Sequence, residues 1–102
     1  MELDIRTEGA TVTVKIVGAV DTEGGKELSD AVTRVIEDGS ITEAFFDLSD
    51  VPAITSAGIG KLLRFFKHFD KIDGSMKIKG ISAPLKEQFT EIHLEQIIPI
   101  ED

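Results

Sequence analysis

The chain alternates between two hydrophobic periods, and this alternation limits the fold more than any other feature. In "TVTVKIV" (11–17) apolar residues alternate with threonine and lysine, the period of a strand with one buried face. In "DTEGGKELSDAVTRVIEDG" (21–39) they recur every three or four positions, which predicts a helix capped by Asp21 or Thr22. Continued along the chain, the pattern predicts the order β-β-α-β-α-β-α-β. Such an order favours one α/β domain over residues 1–102, with a mostly parallel sheet and helices packed on it.

The predicted strands differ in their burial. The first strand (3–8) turns back into the second through Gly9 and Ala10, so these two strands are expected to pair antiparallel. The stretch "ITEAFFDLS" (41–49) carries a nearly continuous apolar run instead. Such a run is typical of a strand that is buried on both faces, and this is what we expect of the third strand.

The remaining elements follow from the same patterns. The second helix begins near Thr55, and its predicted inner face is Ile59, Leu62, Leu63, Phe66 and Phe69. "SMKIKGI" (75–81) alternates like a strand. Ser82 caps a third helix. Its predicted inner face is Leu85, Phe89 and Ile92. "QIIPI" (96–100) predicts a short last strand, and the proline within it indicates an edge position.

The start of the second helix has an unusual composition. Two hydroxyl residues, Thr55 and Ser56, stand there, and either can cap the helix. The small residues that follow are Ala57, Gly58 and Gly60. Capping does not explain the glycines, each of which costs a helix about 1 kcal/mol relative to alanine. Small residues allow a neighbouring strand or a second protein to approach closely. We therefore expect a partner surface here, with an accessible serine where the helix N-terminus tolerates a phosphate.

Charge is distributed unevenly along the chain. The net charge is −8 at pH 7, and all of the excess acid lies in residues 1–50. This acidity argues against nucleic acid as a partner. The second helix carries a basic strip made of Lys61, Arg64, Lys67 and Lys71. The strip is either a solvated outer face or a surface that meets an acidic partner.

The residues that could carry catalysis are few. There is no cysteine, and the two histidines, His68 and His93, do not form a paired metal-binding motif. Neither histidine is near Ser56 in sequence, and "ITSAGIG" lacks the leading glycine of a nucleophile elbow. "GIGK" (58–61) is only part of a phosphate-binding loop. We interpret the histidines as surface or helix-end residues, and we expect a binding protein without metal, cofactor or enzymatic activity.

No segment predicts a membrane or secretory location. The chain has no apolar run approaching the ~18 residues of a transmembrane helix. Its first residues, "MELDIRTEG", lack the basic and apolar parts of a signal peptide. We therefore expect a cytoplasmic protein without membrane insertion.

Three stretches resemble a known family. "FDLSDVPAITSAGIGKLL" (46–63) is similar to the signature of STAS domains, the family of bacterial anti-sigma factor antagonists. In that signature an acidic strand end leads to a helix start that contains serine and glycine. "GAVDTEGGKEL" (18–28) resembles the Gly-x-Leu/Val-Asp landmark of the family, and "IIPIED" (97–102) resembles its last strand. The resemblance covers nearly the whole chain and implies a sheet with helices packed on it.

The resemblance also implies a function that is switched by phosphorylation. Ser56 matches the serine that is phosphorylated by an ATP-dependent serine kinase, which is also the anti-sigma factor. Asp21 matches an aspartate near that serine. The unphosphorylated antagonist binds the kinase and frees the sigma factor, and a phosphatase restores binding after phosphorylation. The predicted partner-binding residues are Asp21, Thr55, Ser56, Ala57, Gly58, Gly60, Lys61 and Arg64.

Two features depart from the family pattern and leave an alternative open. Thr55 stands where the family has an aspartate, so a negative charge is lost and a second acceptor hydroxyl is gained. The alternative function is a STAS subunit of a lipid-transport ABC complex, which binds its ATPase constitutively and has no phosphate cycle. Thr55 keeps this alternative open. So does the sequence ending just after the last strand, where many relatives continue into a helix.

Overall fold

The computed structural model describes residues 1–101 and confirms the predicted order of strands and helices. The elements are β1 Glu2–Glu8, β2 Thr11–Val17, α1 Thr22–Ile36, β3 Glu43–Asp50, α2 Ser56–Lys71, β4 Ser75–Ile81, α3 Ala83–Glu91 and β5 Ile100–Glu101. A short 3-10 helix, Leu94–Gln96, joins α3 to β5. Over these residues the five strands form one sheet in the order β1-β2-β3-β4-β5. The β1–β2 pair is antiparallel and the other pairs are parallel, as predicted.

The sheet is covered on one face, and this corrects the prediction for β3. Along β3 the core residues Ala44, Phe46 and Leu48 are fully buried, whereas Phe45 and Asp47 on the other face are half-buried. Each crossover from β2 to β5 moves to the next strand in the same direction. Since such crossovers share one hand, their helices collect on the same face. The apolar run of β3 is therefore not a sign of two covered faces.

The open face of the sheet carries a row of alternating charges. In the strand register Asp4 lies opposite Lys15 on β2, and Lys15 lies opposite Asp47 on β3. Burial raises the pKa of Asp47, but hydrogen bonds from Ser49 and the charges of Lys15 and Lys79 together hold this pKa below its ordinary value. Lys79 also lies 5.7 Å from the centroid of the half-buried Phe45 ring. Opposite charges thus alternate across this face, and the lysines stabilise the ionised form of Asp47.

The buried face of α2 is rotated slightly from the predicted one. Ile59, Leu62 and Phe69 are buried as predicted. The prediction missed Phe65, which is buried and stacks on Phe46 with 6.1 Å between ring centroids. Leu63 and Phe66 are only half-buried and pack at the margin of the core. The helix has two adjacent apolar rows of side chains, and the position of the sheet determines which row is buried.

The end of the chain also differs from the prediction. The third helix ends at Glu91, so Ile92 lies outside it and is 50% exposed instead of facing the core. The last strand is restricted to Ile100–Glu101, and the first residue of the predicted strand, Gln96, belongs to the 3-10 helix instead. This strand pairs with β4 alone and forms an edge of the sheet, as predicted.

Candidate functional site

The loops before α1 and α2 lie side by side at the carboxyl edge of the sheet. The Val20 amide donates to the Ala53 carbonyl oxygen, and the Thr55 amide donates to the Val20 carbonyl oxygen, each over 3.0 Å. Val20 and Ile54 form an isolated parallel bridge. Asp21 and Thr55 each follow one of these bridged residues, so the two helices begin next to each other. This edge is where open α/β sheets commonly place their functional residues.

The two helix caps occupy the predicted positions. Asp21 Oδ1 accepts a hydrogen bond from the Gly24 amide over 2.7 Å at the start of α1. Thr55 Oγ1 accepts one from the Gly58 amide over 3.2 Å at the start of α2. Of the two hydroxyl residues at this start, Thr55 is therefore the cap. Ser56 is the first residue of the helix, and its side chain is exposed.

The small residues after Ser56 lie in two different environments. Gly58 is buried, and a Cβ atom there would lie 2.5 Å from Ile54 Cγ2. A Cβ on Gly25 would lie 3.3 Å from Gly58 Cα, so α1 and α2 meet at these two glycines. Gly58 is thus covered by its own protein, and its predicted contact with a partner stays a prediction. Ala57 and Gly60 are exposed, and a Cβ on Gly60 would meet no atom within 4 Å.

These two glycines are expected to respond differently to alanine. Gly60→Ala should raise the free energy of unfolding by up to about 1 kcal/mol, because alanine favours the helix and nothing obstructs its methyl group. Gly58→Ala makes the same change in propensity but overpacks the contact with the Ile54 and Val20 side chains, which costs about 1–3 kcal/mol. Urea unfolding of both variants should therefore place Gly60→Ala about 1–3 kcal/mol above Gly58→Ala. Equal stabilities would show that the packing of Ile54 and Val20 around Gly58 tolerates a methyl group.

The basic strip divides into two parts. Lys61 and Arg64 line a groove of about 480 Å³ between α1 and α2, together with Ala57 and with the α1 residues Thr22, Glu23, Lys26, Ser29 and Asp30. Lys61 is half-buried, and its Cγ lies 3.9 Å from the position of a Cβ on Gly25. Lys67 and Lys71 are exposed elsewhere on the helix. The groove begins one residue after Ser56 and brings two predicted partner-binding cations toward α1.

The two histidines occupy different environments. His93 is exposed after the end of α3, as predicted. His68 lies in the last turn of α2, in keeping with the interpretation as a helix-end residue. It is half-buried, and its buried Nε2 finds no hydrogen-bond partner among residues 1–101. It stands twelve residues after Ser56 on the same helix, or about 18 Å along the axis. His68 is therefore too far away to take a proton from the Ser56 hydroxyl.

Residues 1–101 contain neither a candidate metal-binding cluster nor a membrane-spanning helix. This part of the chain contains no group of three or more His, Asp or Glu side chains arranged to hold a metal ion. None of its helices is long and apolar enough to cross a membrane.

Comparison with known sequences identifies the family. The sequence model of the STAS domain matches residues 2–102. The chain belongs to the STAS domain family. A relative of this STAS domain, the anti-sigma-B factor antagonist of Bacillus subtilis strain 168, is 27% identical over 100 residues. The alignment covers 98% of the present chain and 90% of that relative.

Solved structures confirm the fold of the STAS domain. The anti-sigma factor antagonist SpoIIAA in its unphosphorylated form superimposes with a TM-score of 0.81 at 14% identity, covering 99% of this chain and 88% of that one. The phosphorylated form of the Bacillus cell fate determinant SpoIIAA gives 0.79 at 15% identity, covering 99% and 92%. A sulfate transporter family protein from Wolinella succinogenes gives 0.72 at 18% identity, covering 85% and 70%.

Sequence reasoning missed two residues near the site. Gly25 makes the close contact with Gly58, and Gln88 on α3 is hydrogen-bonded to Ile54 in the loop before α2. The glycine pair "GG" at 24–25 is visible in the sequence, but nothing local indicates its partner. Gln88 is one of several polar residues on α3, and nothing in the sequence distinguishes it from the others.

Proposed function

We propose that this STAS domain is an anti-sigma factor antagonist that is switched by phosphorylation of Ser56. Its unphosphorylated form binds a serine kinase that is also an anti-sigma factor, and binding releases the sigma factor. Phosphorylation by this kinase ends the binding, and a phosphatase restores it. The observation that carries the proposal is the exposed Ser56 at the first position of α2, beside Asp21 and the groove.

Ser56 is a better acceptor than its neighbour. Thr55 Oγ1 already accepts the capping hydrogen bond from the Gly58 amide, and Thr55 belongs to the loop that is bonded to Val20. Moving this hydroxyl into a kinase active site would disturb the cap, which stabilises a helix by about 1 kcal/mol. The Ser56 side chain does not provide the cap and is exposed. A phosphate on Ser56 lies at a helix N-terminus, where free amides and the helix dipole stabilise an anion.

The effect of phosphate is proposed to arise at the interface. Phosphorylation adds about −1.5 to −2 charge units at neutral pH. The free protein keeps this charge in water, whereas the complex must desolvate it against a surface shaped for a hydroxyl group. The domain acts by binding and carries out no reaction of its own. The proposed phosphorylation cycle requires the domain to bind no cofactor and no nucleic acid, because the domain recognises the surface of another protein.

The cations of the groove are proposed to guide the kinase. Lys61→Glu with Arg64→Glu should slow association by about tenfold at low salt and reduce its dependence on salt, since both cations face the groove. The matched control is Lys67→Glu with Lys71→Glu, which changes the net charge equally but lies outside the groove lining. Stopped-flow association rates of both double variants test this. Equal slowing by both pairs would show that only the total charge matters.

A constitutive transporter subunit is the alternative function. The fold also occurs in a sulfate transporter family protein, and Thr55 replaces the aspartate that precedes the serine in the antagonist signature. A subunit of a lipid-transport ABC complex would bind its ATPase through the same domain without a phosphate cycle. This function predicts a partner of a different class, a transport ATPase, and no modification of Ser56.

One experiment separates the two functions. The protein is recovered from its native host under phosphatase inhibition, and its phosphate and bound partner are identified by mass spectrometry. A phosphate on Ser56, together with a serine kinase that binds the purified unphosphorylated protein, supports the antagonist. Phosphate on Thr55 alone moves the switch by one residue. An unmodified protein bound to a transport ATPase contradicts the antagonist and supports the alternative.

A further inference from the structure

The loop that leads into α2 is held by a side chain from α3. The Gln88 side-chain Nε2 donates to the Ile54 carbonyl oxygen over 2.7 Å, and the Ile54 amide donates to Gln88 Oε1 over 3.4 Å. One side chain therefore pairs with both backbone polar groups of one residue. Ile54 directly precedes the cap Thr55 and lies two positions before Ser56.

The other side of this loop is held by the loop before α1. The residues on either side of Ile54 bond to Val20, through the Ala53 carbonyl oxygen and the Thr55 amide. Backbone groups thus point alternately toward Val20 and toward Gln88, as they do in a strand between two neighbours. Val20 supplies one neighbour through its backbone, and the Gln88 carboxamide takes the place of the other.

We propose that Gln88 is a positioning residue for the Ser56 switch. By pairing with Ile54, Gln88 fixes the position of the Thr55 cap at the start of α2. It thereby fixes the position of the Ser56 hydroxyl that the kinase must reach. The inference rests on the proposed function of Ser56. Glutamine suits this role because its amide both donates and accepts, whereas an ionised glutamate only accepts and a methionine has no N–H or O–H donor.

Hydrogen exchange tests the positioning without a partner. Gln88→Met approximately preserves the length of the side chain but removes both the donor to the Ile54 carbonyl oxygen and the oxygen that accepts from the Ile54 amide. We expect the Ile54 and Gly58 amides to exchange about tenfold faster, a change equivalent to about 1.4 kcal/mol, while core amides such as that of Phe46 change less. The matched control is Glu87→Met, on the exposed neighbouring position of α3. Unchanged exchange at both amides in Gln88→Met would overturn the inference.

A conservative variant separates pairing from packing. In Gln88→Glu at pH 7 the carboxylate oxygen meets the Ile54 carbonyl oxygen, so we expect exchange at Ile54 to exceed wild type about tenfold after correction for the intrinsic rate. As the pH falls toward 4 the carboxyl group gains a proton and regains a donor, so the excess should shrink to about twofold. An excess that does not change with pH would mean that Gln88 serves only to fill space, and it would overturn the inference.

The kinase recovered in the experiment above provides the functional measurement. For Gln88→Met we expect kcat for Ser56 phosphorylation to fall about tenfold, with KM within about twofold of wild type, because the groove that docks the kinase is unchanged. A wild-type kcat would overturn the role in the switch. If no kinase phosphorylates the wild-type protein, the proposed function fails, but the exchange measurements still decide whether Gln88 positions the start of α2.

Discussion

Ser56→Asp is expected to weaken binding of the kinase by about 100-fold while the domain remains folded. The aspartate places a negative charge at the N-terminus of α2, where the helix dipole stabilises it. In the complex the same charge must be desolvated without a partner, and a loss of about 3 kcal/mol corresponds to a change in Kd on the order of 100-fold. Calorimetric titration gives the Kd, and urea unfolding checks the fold.

Two further variants test whether the effect arises from phosphate on Ser56. Ser56→Ala should bind at least as tightly as wild type but accept no phosphate after incubation with kinase and ATP. Thr55→Ala should lose about 1 kcal/mol of stability with its cap, yet still be phosphorylated on Ser56. Ser56→Asp that binds like wild type, with no phosphate on either residue, would rule out the switch and favour the constitutive subunit.

Leu62→Ala is expected to lower the free energy of unfolding by about 2–5 kcal/mol. The Leu62 side chain is completely buried in the core between α2 and the sheet, and truncation leaves a cavity that the surrounding residues fill only in part. Urea unfolding measures the loss. The control is Leu63→Ala on the next position, which is half-buried and should cost clearly less. A loss below about 0.5 kcal/mol for Leu62→Ala would contradict the orientation of α2.

Features that depend on neighbouring residues could be predicted from the sequence alone. The alternation in β2 and the three- and four-residue spacing in α1 determine the strand and the helix, because a side chain's direction follows directly from these periods. The turn at Gly9 and the caps at Asp21 and Thr55 depend on residues at most three positions away. For the same reason the exposed Ser56 at the start of α2 was visible before the fold was known.

Features that depend on distant residues required the tertiary structure. Gly58 and Gly60 look alike in the sequence, but only Gly58 meets a second helix, through Gly25. The apolar run of β3 looked like a strand covered on both faces, whereas the common direction of the crossovers leaves one face open. The bond from Gln88 to Ile54 joins residues 34 positions apart. Local pattern carries no information on such contacts, because they form only when packing brings separate elements together.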